Sequence, residues 1–271
     1  MDYYHISRED LGKNAKIPLK KMGDIGEVFY EMALDMFEEI KRNNENNRRS
    51  VIICPVGPTG QYPIFVRLVN EHRLSLENTW FINMDEYLND DDTWIAKDDP
   101  LSFRGFMQRT VYDCISPALI MPPEQRIFPD PQNVAAIPAL IEQLGGVDLA
   151  LGGIGLNGHL AFNEPQDELT PDEFAALHTR VLTISRETRA SNAISSLNGA
   201  VDAMPKKCIT IGMAELLSAK RIRVAVHRPH HRAVVRQAAY GEVTAHFPAT
   251  LLQRHPDAMI YVNSIAAEQP F

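Results

Sequence analysis

Apolar residues fall into two alternating patterns along the chain. Short runs rich in Val and Ile predict strands over residues 51–56, 79–84, 147–151, 181–185, 208–211, 223–226 and 258–262. Apolar positions with helical spacing, together with turn signals, predict helices over residues 25–40, 62–72, 101–114 and 133–144. Strands that alternate with helices are typical of an α/β fold with a parallel sheet.

Three segments interrupt this alternation. The polar tract 41–50 is predicted to be a solvated connection, residues 88–100 an acidic loop, and the proline-rich residues 117–131 irregular. The spacing of the strands fits a single domain over residues 1–271. We therefore expect a doubly wound, Rossmann-like, mostly parallel sheet of about seven strands with helices on both faces. In such sheets ligands bind at the carboxyl ends of the strands.

The composition narrows the class of protein. The chain has 271 residues, of which 45% are hydrophobic and 23% are charged. These values are ordinary for a globular protein and exclude a disordered, collagenous or disulfide-scaffold chain. The net charge of −8 gives no bulk electrostatic reason to bind nucleic acid or an anionic membrane.

The cysteines and the N-terminal segment bear on location. Cys54, Cys114 and Cys208 form no CxxC pair, so their spacing indicates reduced thiols and no metal or redox motif. The N-terminal segment lacks the apolar core of a signal peptide, and no stretch has the length and hydrophobicity of a bilayer span. We therefore expect a cytoplasmic protein with no membrane partner.

The first segment with candidate chemistry follows a predicted strand and reads VGPTGQYP, residues 56–63. It leads from a strand through a glycine-containing turn, with Thr59 and Gly60, into a helix. Free backbone N–H groups at a helix N-terminus suit a phosphate. The segment is not a Walker A loop, and both a tight structural turn and an anion cradle fit it.

The second segment, FINMDEYL, places Asp85 and Glu86 where a buried strand emerges. A carboxylate at the edge of a cleft can have a raised pKa and act as a general acid or base. A helix N-cap or a solvated loop carboxylate is the alternative interpretation.

The third segment, GGIGLNGHLAFNEP, is rich in glycine, which lets the backbone turn sharply and approach a ligand. His159 follows directly, and Glu164 lies five residues further on. A histidine with a pKa near neutrality, held by a carboxylate, is a plausible proton shuttle. A lone histidine is more often structural, but this setting favours a functional one.

In this order, the segments resemble the glucosamine-6-phosphate deaminase (isomerase) family, which is related to the 6-phosphogluconolactonases. The shared landmarks are PTG with a following proline, NMDEY, GGIGxxGHLAFNEP, ETRASN and ITIGMAELLSA. They extend from about residue 51 to about residue 262, and residues 1–50 match no family motif.

The resemblance implies an enzyme that converts a phosphorylated amino sugar to a ketose phosphate and ammonia without a metal or organic cofactor. The default substrate is glucosamine 6-phosphate, and galactosamine 6-phosphate is a close variant. Asp85 matches the acid/base that moves a proton between C2 and C1 of the open-chain sugar. His159 matches the residue that opens the pyranose ring, and Glu164 matches the carboxylate that orients this histidine.

The resemblance also implies a binding surface for the substrate. Its expected residues are Thr59, Gly60, Glu86, Gly158, Arg189 and Arg232. Of these, Arg189 matches a phosphate ligand of the family, and Arg232 aligns with a phosphate-binding lysine. A lid is expected around residues 167–196, and the family implies a homo-oligomer.

The sequence departs from the family pattern near the candidate catalytic residues. Asn157 replaces an aspartate two residues before the histidine, and we count it among the catalytic positions. The loss of a nearby negative charge lowers the pKa of a histidine. Gln61 and Tyr62 replace two small residues of the phosphate loop, which puts the size of the pocket in doubt.

A basic cluster, HRPHHR, spans residues 227–232. It superficially resembles the spacing of metal ligands, but no carboxylate or cysteine accompanies it. We therefore expect no metal site there.

Two other functions stay open. One is a hydrolase of the 6-phosphogluconolactonase type, although NMDEY is not the usual sequence of that branch. The other is a non-catalytic sugar-phosphate-binding protein, because Asn157, Gln61 and Tyr62 all alter the site. Release of acid from 6-phosphogluconolactone would indicate the hydrolase. Thermal stabilisation by a sugar phosphate without turnover would indicate the binding protein.

Overall fold

A computed structural model of the protein describes residues 2–271. The strands are β1 (Leu19–Lys21), β2 (Ser50–Cys54), β3 (Thr79–Asn83), β4 (Asp85–Leu88), β5 (Arg126–Ile127), β6 (Leu149–Gly153), β7 (Arg180–Thr183), β8 (Lys207–Thr210), β9 (Arg221–Val226) and β10 (Ala258–Val262). The helices are α1 (Ile25–Glu45), α2 (Gln61–His72), α3 (Phe103–Met107), α4 (Ala136–Leu144), α5 (Pro171–Ala175), α6 (Arg186–Ser196), α7 (Met213–Leu217), α8 (His231–Tyr240) and α9 (Ser264–Ala267). Within the described range, none of these helices has the length and hydrophobicity needed to cross a membrane.

The central sheet of the described chain has seven strands in the order β1-β10-β9-β6-β2-β3-β5. Every neighbouring pair in it is parallel. After β2, the chain adds β3 and β5 on one side and β6, β9 and β10 on the other. The direction of winding therefore reverses between β2 and β6, which makes this the topological switch point of a doubly wound sheet. The predicted fold class is confirmed.

The residues of β2 show why helices cover both faces of this sheet. Val51 and Ile53 pack in one apolar cluster with residues of α4 and α8, whereas Ile52 and Cys54 pack in a second cluster with residues of α1 and α2. All four side chains are 1% exposed or less. A strand that is covered on both faces is apolar at every position, which is why its sequence shows a continuous apolar run.

Two predicted strands belong to a different sheet. β7 and β8 occupy the predicted segments 181–185 and 208–211, but β8 pairs antiparallel with β7 on one side and with β4 on the other. This small sheet places Asp85 directly opposite Thr210. In the central sheet β1 and β5 take the places of these two strands. Both were missed because they are three and two residues long and contain no apolar run.

The predicted helices are present with shifted bounds. Segment 62–72 is α2, segment 133–144 contains α4, and segment 101–114 contains α3 followed by a π-helical turn over Gln108–Tyr112. Gly145 ends α4 with a φ of 81°. The proline-rich segment 117–131 is mostly irregular, as predicted, but it includes β5.

The polar tract 41–50 is only partly a connection, because α1 continues through it to Glu45. Asn43 is 2% exposed, and its amide donates to Glu39 Oε1 at 3.3 Å and to Ser50 Oγ at 3.1 Å. These bonds tie the end of α1 to the start of β2. The prediction failed here because a polar side chain can be buried when it has hydrogen-bond partners.

Candidate active site

A cavity of about 630 Å³ opens at the carboxyl ends of four adjacent strands of the central sheet. The loops that follow β2, β3, β6 and β9 all contribute to its wall. Because β2 and β6 flank the switch point, the cavity lies where this topology places ligands. Four of the predicted site residues line it: Thr59, Gly60, Asp85 and His159.

Asp85 is a buried carboxylate in the wall of this cavity. It begins β4, directly after the turn that ends β3, and it is 6% exposed. Among residues 2–271, no side chain or backbone group donates a hydrogen bond to it. Burial raises the pKa of Asp85 well above its ordinary value, and the neighbouring Glu86 raises it further. Such a carboxyl group can exchange protons with a substrate near neutral pH.

His159 is oriented by two polar neighbours from its own loop. Asn157 Oδ1 lies 2.7 Å from His159 Nδ1, and Asn157 Nδ2 donates to Glu164 Oε2 at 2.7 Å. An ionised carboxylate only accepts hydrogen bonds, so Glu164 fixes which end of the Asn157 amide faces the histidine. The amide oxygen also only accepts, so the neutral imidazole carries its proton on Nδ1. The lone pair of the neutral ring is therefore on Nε2, which has no hydrogen-bond partner in the described chain.

Burial and charge act on His159 in opposite directions. Burial lowers the pKa of His159 below its ordinary value, and the negative charge of Glu164 raises it in part. The imidazole is therefore largely neutral at pH 7, and its Nε2 lone pair is available to accept a proton.

The loop that carries His159 is anchored beneath the cavity. The backbone N–H of Phe162 donates to Thr210 Oγ1 at 3.1 Å, and Asn163 Nδ2 donates to the carbonyl oxygen of Ile211 at 3.0 Å. The Phe162 ring lies nearly parallel to the His159 ring, with 6.2 Å between the ring centroids. The small antiparallel sheet thus supports the histidine from below.

Glu86 was predicted to bind substrate, but it lies behind the cavity wall and is fully buried. Its carboxylate accepts hydrogen bonds from Ser102 Oγ at 2.9 Å and from the backbone N–H groups of Phe103 at 3.0 Å and Arg104 at 2.9 Å. Arg104 Nε donates at 3.1 Å, and the backbone N–H of Tyr87 donates at 3.0 Å. Glu86 therefore holds the segment that begins α3, and its oxygens are occupied by the fold.

Gly158 was also predicted to bind substrate, yet its backbone is used within the protein. Its N–H donates to the Gly155 carbonyl at 2.9 Å, and its carbonyl accepts from Ala249 at 2.8 Å. Its φ is +83°, and an added Cβ would lie 2.6 Å from the Phe247 ring. The glycine is needed for the turn, which positions His159.

The turn before α2 retains the properties of an anion cradle. The N–H groups of Thr59 and Gly60 donate to no acceptor within residues 2–271. An added Cβ on Gly60 would lie 2.1 Å from the ring of Phe29, which also lines the cavity. The absence of a side chain at Gly60 therefore lets Phe29 pack onto the turn.

Gln61 and Tyr62 do not reduce the size of the cavity. Both are fully buried on the protein side of the turn. Gln61 Nε2 donates to the Pro58 carbonyl at 2.8 Å, and the Tyr62 hydroxyl donates to the Pro55 carbonyl at 2.5 Å. Their bulk packs into the core and holds the turn from behind.

The two arginines predicted to bind phosphate do not line the cavity. Arg232 lies in the first turn of α8, and its Nε donates to the carbonyl oxygen of Ile265 in α9 at 3.1 Å. Arg189 is half-buried, and its Nε is enclosed without a partner. Arg228, four residues before Arg232, reaches the cavity instead.

Arg228 is joined at the cavity by three histidines of the same cluster, His227, His230 and His231. Burial is the main cause that lowers the pKa of His227 to about 4 and that of His231 to about 2, and it also lowers the pKa of His230. His231 Nδ1 accepts from the backbone N–H groups of His227 at 2.8 Å and Arg228 at 3.0 Å. At pH 7 the formal positive charge of this turn therefore belongs to Arg228. The sequence marked the cluster as basic without indicating that it faces the site.

Sequence reasoning also missed the contribution of α6. Ser191, Asn192, Ser195 and Ser196 line the cavity, and Asn192 Nδ2 donates to the Tyr87 hydroxyl at 3.1 Å. A helix with its polar face inward gives no ordinary amphipathic signal. The available signal was the helical spacing of these polar residues after Glu187–Arg189, which places them on one side of α6.

The fold and the site together define an α/β protein with an acid/base pair at the switch point. Glucosamine-6-phosphate deaminase of Clostridium perfringens strain SM101 is 32% identical to the chain over 244 residues, or 87% of this chain and 92% of that protein. Glucosamine-6-phosphate deaminase 1 of Bacillus subtilis strain 168 is 30% identical over 217 residues, or 78% and 82%. No family model matches the chain.

Solved structures give the same assignment. A monomeric glucosamine-6-phosphate deaminase of the NagB superfamily is 28% identical, with a TM-score of 0.76 over 92% of this chain and 98% of that one. A 6-phosphogluconolactonase from Leishmania guyanensis shares the fold at 14% identity, with a TM-score of 0.64 over 92% and 97%. The chain belongs to the glucosamine-6-phosphate deaminase family, which confirms the resemblance seen in its motifs.

Proposed function

We propose that the protein isomerises and deaminates an amino sugar 6-phosphate. Glucosamine 6-phosphate is the default substrate, since it is named for the relatives in both bacteria, and galactosamine 6-phosphate is the close variant. The observation that carries the proposal is the pairing, in one cavity, of Asp85 with its raised pKa and His159 with its fixed tautomer.

His159 opens the sugar ring in this proposal. Its Nε2 lone pair takes the proton of the anomeric hydroxyl and returns it to the ring oxygen, which leaves the open-chain aldose. Asn157 and Glu164 keep the acceptor nitrogen on the side away from their own hydrogen bonds. The imidazole is neutral again at the end of the step.

Asp85 then moves a proton between neighbouring carbons. Its carboxylate removes the C2 proton and delivers it to C1, while one proton of the C2 amine passes to the C1 oxygen. The aldehyde thus becomes a hydroxymethyl group, and the C2 amine becomes an imine. Addition of water to this imine releases ammonia and leaves the ketose phosphate. Burial without hydrogen-bond donors makes Asp85 more basic than an exposed aspartate, which suits the removal of a carbon-bound proton.

The phosphate binds at another polar part of the cavity wall. Arg228 supplies a charged fork, and the free N–H groups of Thr59 and Gly60 supply neutral donors. This replaces the assignment of Arg189 and Arg232 with a residue that lines the cavity. It also explains how a chain with a net charge of −8 accommodates a dianion.

Three further assignments belong to the proposal. Residues 1–271 act as one domain, the partner is a phosphorylated amino sugar, and the protein functions in the cytoplasm. The homo-oligomer expected from the resemblance stays a prediction. It needs a direct test, because one relative of known structure is monomeric. Light scattering on the purified protein gives the mass directly.

The test is to incubate the protein separately with glucosamine 6-phosphate and galactosamine 6-phosphate, and to measure ammonia and ketose phosphate. Asp85→Asn should abolish both release and exchange of the C2 proton with solvent. A folded protein that turns over neither sugar contradicts the proposal. Thermal stabilisation without turnover would indicate a binding protein, and acid released from 6-phosphogluconolactone would indicate a hydrolase.

A further inference from the structure

We propose that Thr188 is a positioning residue for His159, and that it makes α6 part of the acid/base site. The proposal rests on the proposed function, because that function gives His159 its proton transfer. Thr188 lies in the first turn of α6 and is 1% exposed. Its Oγ1 lies 3.2 Å from His159 Nδ1 and 3.5 Å from Asn157 Nδ2.

The direction of the hydrogen bond follows from the neighbours. Glu164 holds the Asn157 amide so that its oxygen, an acceptor, faces His159 Nδ1. Nδ1 therefore carries the proton, and the Thr188 hydroxyl oxygen accepts from it. Two acceptors on one N–H group favour the Nδ1–H tautomer, and they favour the protonated imidazolium more strongly.

Thr188 is itself held in place. Its backbone N–H donates to Ser185 Oγ at 3.1 Å, the N-cap bond of α6. The backbone N–H of Ser185 lies 3.3 Å from Glu164 Oε1. The start of α6 thus contacts both the histidine and the carboxylate that orients its partner amide. A threonine side chain in a helix has few χ1 options, so the hydroxyl has a defined direction.

The same face of α6 continues along the cavity. Ser191, Asn192, Ser195 and Ser196 follow Thr188 at spacings of three, four, seven and eight residues, which places them on one side of the helix. A substrate that contacts this face contacts the element whose first turn holds His159. The position of α6 and the proton affinity of the imidazole are therefore linked through Thr188.

The experiment removes the hydroxyl while keeping the shape. Thr188→Val is compared with Thr188→Ser, which keeps the hydroxyl, and with Thr183→Val, the same exchange at an exposed position at the end of β7. We expect Thr188→Val to lower kcat about tenfold, less than the loss of a whole acid/base group, with KM changed by less than about twofold. In this variant the acid limb of the pH profile of kcat should shift to lower pH, because the imidazolium of His159 loses one hydrogen-bond acceptor. Thr188→Ser should restore both, and Thr183→Val should match the parent protein.

A second readout needs no substrate. Nitrogen-15 NMR of the histidine side chains, assigned with His159→Gln, reports the Nδ1–H and Nε2–H populations of His159. Thr188→Val should raise the Nε2–H population, and Thr188→Ala repeats the comparison should the valine variant not fold. An unchanged His159 signature in these variants overturns the proposal, as does a serine variant impaired as much as the valine variant. Because the NMR arm is independent of turnover, a failure of the proposed function stays distinguishable from a failure of this assignment.

Discussion

Asn157 Nδ2 lies 2.7 Å from Glu164 Oε2, and Glu164 acts on His159 in two ways. Through its charge, Glu164 raises the pKa of His159 against the effect of burial. Through the Asn157 amide, it fixes the ring nitrogen that carries the proton. An asparagine here therefore transmits orientation without adding a second negative charge beside the carboxylate.

Replacement of Glu164 tests both of its effects on His159. In Glu164→Gln the charge is lost, so the pKa of His159 should fall further and the acid limb of kcat/KM should move to lower pH. The Asn157 amide also loses its fixed orientation, and we expect kcat to drop roughly 10²-fold. A pH–rate profile measures both. Glu168→Gln, at an exposed position four residues away, is the control, and an unmoved acid limb in the Glu164 variant would contradict the assigned role.

Asp85→Asn should stabilise the protein while it inactivates it. The pKa of Asp85 is raised in the folded state, so the fold opposes its ionisation. This cost is absent below the ordinary carboxyl pKa of about 4 and grows as the pH rises toward the raised value. Tm of the variant should therefore exceed that of the parent protein at pH 7. The expected gain is about 2–4 °C for each kcal/mol by which the free energy of unfolding rises, and the difference should shrink toward pH 4.

Calorimetry at the two pH values checks this, with the exposed Asp98→Asn as the matched control. A gain in Tm that is equal at both pH values would not come from the ionisation of Asp85. A loss of Tm at pH 7 would mean that the buried carboxylate is stabilised by the fold, contrary to the raised pKa.

Arg228 and Arg232 should behave differently when each is changed to alanine. Arg228 lines the cavity, and a charged hydrogen bond to phosphate is worth about 1.5–3 kcal/mol, so Arg228→Ala should raise KM by roughly tenfold or more. Arg232 donates to the Ile265 carbonyl, so Arg232→Ala should change KM by less than about twofold. Steady-state kinetics and inhibition by inorganic phosphate measure the contrast. A larger increase in KM for Arg232→Ala than for Arg228→Ala would support Arg232 as the phosphate ligand, as the family resemblance implies.

Gly60→Ala should destabilise the fold by about 1–3 kcal/mol, the usual cost of overpacking. The added Cβ would lie 2.1 Å from the Phe29 ring, which must move. If this clash is the cause, Phe29→Ala should remove most of the cost in the double variant. Denaturant unfolding of the two single variants and the double variant tests the coupling, and strictly additive losses would point to the turn itself.

Much of the fold could be predicted because the strands of a doubly wound sheet are apolar throughout. The runs at β2 and β6 are examples. The assignment of β7 and β8 to the central sheet failed for a physical reason. Alternation along the chain shows that strands exist, whereas pairing depends on contacts between distant residues. Edge strands as short as β5 leave almost no pattern to detect.

Site residues could be predicted where a side chain able to transfer protons lies in a segment that follows a strand of the central sheet. Asp85 lies two residues after the end of β3, and His159 lies in the loop that follows β6, so both reach the cavity at the carboxyl edge of the sheet. Glu86 has the same position in the sequence but turns inward to the backbone of the segment that begins α3. Alternation of side chains across a strand decides between the two, and a shift of one residue reverses it. The position of Arg228 at the cavity was not predicted, because the family resemblance pointed to Arg232.

Thr210 is linked both to Asp85 and to the loop that carries His159, although it is not part of the cavity wall. Asp85 is paired with it across the small sheet, and its hydroxyl holds the backbone of Phe162 in the histidine loop. Thr210 therefore helps to fix the positions of Asp85 and His159 relative to each other. A change that leaves every cavity residue intact but shifts this strand by a fraction of an ångström would misalign the two groups together and impair the reaction more than the binding.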